Sequence, residues 1–182
     1  MNHELRGKEL AEMLNWHEMP EPLVSWEVVE TGLQAAVPDG LKEISSVFPS
    51  GSFGGRMHFY NPIQSRLSCR AFLTRVGSKG DTYRYSREII PEEFPYRFHP
   101  EPSGLVPWGF GDQHTYFWRP GEEQVLFADN HGDRWGQFDG GIPAFLVDLF
   151  AGAVAGDLLY DEWPTWRFYV KFPESAYVDL AD

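Results

Sequence analysis

The side chains best suited to chemistry fall in two short stretches of a 182-residue chain. Asp112 and His114 stand two apart, and Asp129, His131 and Asp133 repeat that acid and imidazole spacing. Carboxylates and imidazoles are metal ligands, but a site needs them to converge at fixed geometry with further groups holding each one. Asp129-Asn-His-Gly-Asp133 places carboxylates four apart yet lacks the later acidic ligands of a calcium loop. There is no His-x-x-x-His, His-Glu-x-x-His or paired-Cys motif, and Asn-His-Gly-Asp is ordinary turn chemistry between strands. Cys69 has an arginine neighbour, which can lower a thiol pKa, but no histidine or Gly-x-Ser-x-Gly elbow accompanies it. It reads as a buried, inert thiol. Glycines 104, 109 and 111 sit among strand-like residues with no following Lys-Ser/Thr, so they do not form a phosphate cradle. The expectation is no catalytic residue, no metal and no cofactor. A metal-dependent hydrolase using Asp112, His114 and His131 is the weakest reading.

A second kind of chemistry is recognition. Trp108, Tyr116, Phe117, Trp118 and Trp135 concentrate aromatic surface in one stretch, and Trp and Tyr commonly anchor protein interfaces. Interleaved with them are acids in turns: Asp112, Glu122, Glu123, Asp129 and Asp133. On alternating strands half the aromatics face the core and half are available. The expected contact surface therefore combines those five acids with Tyr116 and Trp118.

The elements that must position these residues are legible as patterns. Leu5, Leu10, Met13 and Leu14 share a helix face over about residues 3–15, ended by Pro20 and Pro22. Ser25 is an N-cap for Trp26, Val29 and Leu33, and a third short helix begins at Asp39 with Leu41, Ile44 and Val47. Pro49 to Gly55 is a loop by composition, and Met57 to Tyr60 a short strand. Ile63 to Val76 reads as a helix broken by Gly77-Ser-Lys-Gly80, with another turn or two over 82–89. Five prolines between Pro91 and Pro107 make a rigid extended lead-in. Val106 to Phe110, Thr115 to Arg119, Gln124 to Ala128 and Arg134 to Phe138, separated by turn residues, predict an antiparallel meander. Ile142, Phe145, Leu146, Leu149 and Phe150 form a helix ending near Gly152, and Trp166 to Phe172 alternates as a half-buried strand. N-terminal helices, a meander and a closing helix make an α+β domain over residues 1–182.

Composition bounds the role. Acids outnumber Lys and Arg 27 to 15, for a net charge of −12. Residues 1–30 hold seven acids against Arg6 and Lys8, and residues from 91 onward hold sixteen against five bases. Residues 56–90 reverse this, with Arg56, Arg66, Arg70, Arg75, Lys79, Arg84 and Arg87 against Asp81 and Glu88. So negative a chain repels phosphate backbones, which argues against nucleic acid as the partner, and it attracts basic proteins. No apolar run reaches a membrane span, the first ten residues lack the apolar stretch of a secretory signal, and a single Cys cannot form an intrachain disulfide. The expectation is a cytoplasmic protein with no membrane association.

The order of segments also resembles a known family. Leu105-Val-Pro107-Trp108-Gly109-Phe-Gly-Asp112, then Tyr116-Phe-Trp118, is similar to the Leu-Leu-Pro-Trp-Gly, Gly-Asp, Trp signature of the SUKH superfamily, the Smi/Knr cell-wall-regulator-like proteins. The likeness continues through Gln124-Val-Leu-Phe-Ala, Trp135-Gly-Gln-Phe138-Asp-Gly-Gly141 and Phe145-Leu146-Val-Asp-Leu-Phe-Ala-Gly152. It covers about residues 22–152, leaving 153–182 as an extension. Only Phe110 separates Trp108-Gly109 from Gly111-Asp112, a shorter turn than similar members have. The resemblance implies helices packed on an antiparallel sheet and a non-enzymatic binding role. Bacterial members of this type are largely immunity proteins that neutralise a cognate toxin, often a nuclease, of a polymorphic toxin system; fungal relatives are signalling scaffolds. The expected partner is a basic toxin domain, with an intracellular scaffold as the alternative.

Overall fold

The computed structural model describes residues 6–132, 134–154, 159 and 161–180. Three short helices come first: α1 (Arg6–Met13), α2 (Trp26–Leu33) and α3 (Asp39–Val47). Ser25 caps α2, its Oγ accepting the Val28 N–H at 3.4 Å. Leu10, Val29, Leu33, Leu41 and Ile44 turn each helix's apolar stripe inward, to at most 1% exposure. Leu5, the first residue of the expected stripe, lies outside the described residues.

Seven strands form one antiparallel sheet: β1 (Gly51–Phe53), β2 (Met57–Phe59), β3 (Val106–Gly111), β4 (His114–Trp118), β5 (Gln124–Asp129), β6 (Trp135–Asp139) and β7 (Tyr169–Lys171), in the order β6-β5-β4-β3-β2-β1-β7. The fold is α+β, with N-terminal helices, a meander and a helix, α5 (Ile142–Ala151), after it. Gly141 and Pro143 start α5, and Gly152, at φ 77°, ends it with its N–H on Asp148 and Leu149. Pro107 cannot donate to a ladder, and it survives in a central strand because the β3–β4 register shifts between Pro107 and Gly109.

Four local expectations need correction. Strand β7 spans only Tyr169–Lys171, with Tyr169 inward and Val170 exposed, the reverse of the alternation expected over Trp166–Phe172. The Pro49–Gly55 segment is not all loop, since Gly51–Phe53 is a strand held between β2 and the distant β7. The helix expected to break at Gly77 instead runs unbroken as α4 (Arg66–Ile89), started by a Ser65–Ser68 capping box. Gly80 is there for close approach: a Cβ would lie 2.4 Å from the His99 carbonyl oxygen. The tertiary contact offsets the roughly 1 kcal/mol that glycine costs a helix. Fourth, residues 91–105 are not an extended lead-in. They fold as turns, with Phe98 bridged to Leu105 and Phe94 and Phe98 buried.

That last segment explains the sheet's burial. Neighbours in a strand face opposite ways. Tyr116 packs toward Phe145 of α5 at 5.7 Å, whereas the adjacent Phe117 meets Tyr83 of α4 at 5.1 Å. On the first face α1 and α3 pack against α5. On the second face Tyr83, Phe94, Phe98 and Leu105 cover Phe117, Leu126 and Ala128. The meander is thus enclosed between two layers. The C-terminal extension adds β7 to the sheet and buries Trp163, Tyr169 and Tyr177 in the core. Among the described residues, no helix is long and apolar enough to cross a membrane.

Candidate functional site at the acidic end of the sheet

Enclosure on both faces decides which aromatics can reach a partner. Tyr116 and Trp118, expected to be exposed anchors, are each 1% exposed. They are core residues, because the face expected to be free is covered. Trp108 is fully buried, against Tyr116 at 6.0 Å and Phe145 at 6.5 Å, while Phe145 also takes Phe127 and Phe138. Leu146 is buried in the same layer. Trp135 is half-buried, with its indole N–H donating to the carbonyls of Glu93 (2.8 Å) and Gly132 (2.9 Å).

The acids divide between the two ends of the meander. Asp112 lies exposed in the β3–β4 turn, at the same end as the β5–β6 turn. Asp129 of that second turn points inward at 7% exposure. Its carboxylate accepts the Gly132 N–H at 2.8 Å and the Arg134 Nε at 3.2 Å. Asp129 is therefore a turn-forming residue and not a contact residue. Asn130 ties the two turns together, its N–H donating to the Gln113 carbonyl at 2.8 Å and its amide to the Asp112 carbonyl. Asp133 lies outside the described residues. Among the described residues no group of three or more His, Cys, Asp or Glu could hold a metal. His114 is buried and His131 exposed, so the two imidazoles have different surroundings. Cys69 is buried, and burial pushes its thiol pKa up.

Glu122 and Glu123 occupy the β4–β5 turn at the opposite end, about 17 Å away for strands of this length. Both are exposed. Arg119 reaches Glu122 at 3.6 Å, a loose surface pair of little energetic weight. The same end gathers two acids that are far apart in sequence. Asp139 closes β6 opposite Gln124 of β5, and Asp39 opens α3. Side-chain amides of Gln124 (2.9 Å) and Gln137 (2.8 Å) donate to the Asp139 carboxylate and hold its pKa below the usual value, in that order of weight. Asp139 therefore stays ionised.

Between these acids is a small slot of about 30 Å³ lined by Pro38, Asp39, Glu122, Glu123, Gly141 and the Trp118 ring. The Trp118 indole N–H is shielded and has no acceptor, and the first residues of α3 and α5 border the same slot. Asp39 also belongs to the rim of a larger cleft, about 760 Å³, between α1 and α3. Ala11, Trp16, Met19 and Val47 supply its apolar surface, and Met19 is 73% exposed. Glu12, Glu18, Asp39 and Glu43 outnumber Lys8 and Lys42 around it. Asp39, Asp139 and this cleft were not read from the sequence as part of a surface. The density of acids in residues 1–30 signals Glu12 and Glu18 of the cleft, but not Asp39 or Asp139.

The result is a negative surface with an apolar strip beside it. It can steer and seat a basic protein surface. No protein-family model matches the chain, and neither a curated protein nor a solved structure matches it.

Proposed function

We propose that this chain is a non-enzymatic, SUKH-like immunity protein of the cytoplasm, binding and neutralising a basic toxin domain of the nuclease kind. The observation that carries the reading is the convergence of Asp39, Glu122, Glu123 and Asp139 at one end of the sheet, contiguous through Asp39 with the α1–α3 cleft. A nuclease must present cations to phosphate, and a carboxylate surface covers those cations in competition with nucleic acid. The apolar cleft wall supplies what charge does not. Complementary charge accelerates encounter, whereas desolvated apolar contacts slow dissociation. The ordered resemblance from Leu105 to Gly152 supports the same class.

The test begins with capture of the tagged protein's partner from source lysate at low and moderate salt. The partner is then purified, and its toxicity is assayed with and without this chain. One stoichiometric basic protein, toxic alone and harmless in the complex, is the expected outcome. A housekeeping protein with no toxicity, retained equally at both salts, overturns the immunity reading in favour of a scaffold.

A further inference from the structure

The charge of the molecule reverses along α4, and of its cations without an ion-pair partner among the described residues, Arg66 and Arg70 are exposed whereas Arg75 and Lys79 are not. Arg75 and Lys79 are four residues apart, so they stack on one flank of the helix. Both are half-buried. The Arg75 guanidinium lies 5.8 Å from the centroid of the Tyr60 ring, and its Nε is shielded with no acceptor. Lys79 has no hydrogen-bond or ion-pair partner among the described residues. Asp81, the acid nearest in sequence, is already paired with Arg84. Burial and the Arg75 charge push the Lys79 pKa down, as expected of an unmatched cation.

The wall at the Arg75 end of this flank is built from the sheet. Tyr60 follows β2 and lies 5.8 Å, ring to ring, from Phe172. Phe172 meets His58 of β2 edge-on at 5.3 Å. His58 is half-buried, and burial holds it below the ordinary histidine pKa, against the opposing charge of Asp112. A neutral imidazole can donate one N–H, and Tyr60 can donate its hydroxyl. The flank is therefore rich in donors and has two positive charges that are partly desolvated. Asp112, which bears on His58, is the acid facing it from the β3–β4 turn.

We propose that the Arg75–Lys79 flank of α4, walled by Tyr60 and His58, binds a phosphate-type oxyanion, either free phosphate or the terminal group of a phosphomonoester. The guanidinium fork matches two oxygens of a tetrahedral anion, and the ammonium supplies a point charge to a third. A dianion matches both cations, whereas a carboxylate leaves one unmatched. The site is separate from the acidic end and does not depend on the partner bound there.

The test titrates inorganic phosphate into the full chain at constant ionic strength, followed by calorimetry and by the His58 ring-proton resonances. Acetate serves as the monoanion and ribose 5-phosphate as the monoester. Saturable phosphate binding is expected, with acetate weaker by about tenfold and Lys79→Gln weakening phosphate by about tenfold, as for loss of one hydrogen bond to a charged group. Lys79→Arg should retain binding. Lys79 makes no hydrogen bond or ion pair among the described residues, and a urea unfolding curve for each variant separates loss of binding from unfolding. Ribose 5-phosphate binding more tightly than phosphate supports a monoester source, and weaker binding supports the free anion. Non-saturating shifts, equal acetate and phosphate affinities, or an unchanged Lys79→Gln variant would each overturn the site.

Discussion

Two acidic turns of the same meander, alike in composition, have opposite fates. The β5–β6 turn folds its acid inward: Asp129 is 7% exposed and satisfies the Gly132 N–H and Arg134. The β4–β5 turn holds Glu122 and Glu123 outward, beside Asp39 and Asp139 brought from elsewhere in the chain. The difference comes from what lies over each turn. Residues 91–105 and the end of α4 pack over the first, with Phe94 against Gly132 and the Tyr83 hydroxyl on the Asp129 carbonyl. At the second, the starts of α3 and α5 border a slot and leave Glu122 and Glu123 exposed. A buried acid needs internal partners, whereas exposed ones remain available to an external partner.

The largest effects should arise at the covered turn. Gly132 has φ +79°, and an added Cβ would lie 2.1 Å from the Phe94 ring. Gly132→Ala should therefore lose about 3 kcal/mol of stability in urea unfolding, from left-handed strain plus overpacking. Asp129→Ala, which leaves the Gly132 N–H without its carboxylate acceptor, should lose about 2 kcal/mol. A loss below about 0.5 kcal/mol in both would place the turn among ordinary surface features.

Alkaline titration sharpens the same contrast. Burial pushes the Tyr83 hydroxyl up to about 12, a hydrogen bond with Thr115 opposes it, and the Asp129 charge adds a smaller upward push. The folded value is raised, so the unfolded chain ionises first, at the ordinary tyrosine value of 10.0. The stabilisation is complete below pH 10.0 and is lost as pH rises toward about 12. Its magnitude is about 2–3 kcal/mol. Tyr60, Tyr169 and Tyr177 are shifted in the same direction, so the quantity to measure is wild type against Tyr83→Phe. The variant should lose less stability over that interval, and parallel curves would remove Tyr83 from the account.

At the exposed turn the smallest stability effect is expected. Glu122→Ala with Glu123→Ala should stay within about 0.5 kcal/mol of wild type in the same urea experiment. A larger loss would show that these acids, like Asp129, serve the fold.

Much of this architecture is written in local signals. Ser25 before Trp26, Gly152 after Phe150, and the turn residues between β3 and β6 mark element ends by backbone chemistry that acts within a few residues. The misread elements depend on distant ones. Gly51–Phe53 becomes a strand through β7, more than a hundred residues later. Residue 80 of α4 is glycine because the His99 carbonyl crosses too close for a Cβ. The expected exposure of Tyr116 and Trp118 fails because alternation reports two faces without saying how many are covered. The cover on the second face comes from Phe94 and Phe98, whose proline-interrupted spacing has no periodicity. Glu122 and Glu123 were legible as exposed turn acids, but Asp39 joins them only through the packing of α3 beside α5.

The central claim is that the acidic end, and not the Asp112 end, receives a basic partner. The direct measurement is the association rate of the captured partner with three proteins of confirmed stability: wild type, Glu122→Lys with Glu123→Lys, and Asp112→Lys. Reversal at Glu122 and Glu123 should slow association by about tenfold at low salt, with the difference shrinking as salt is added. Asp112→Lys should associate at nearly the wild-type rate. Equal rates for wild type and the Glu122/Glu123 variant, or a greater loss from Asp112→Lys, would contradict the assignment.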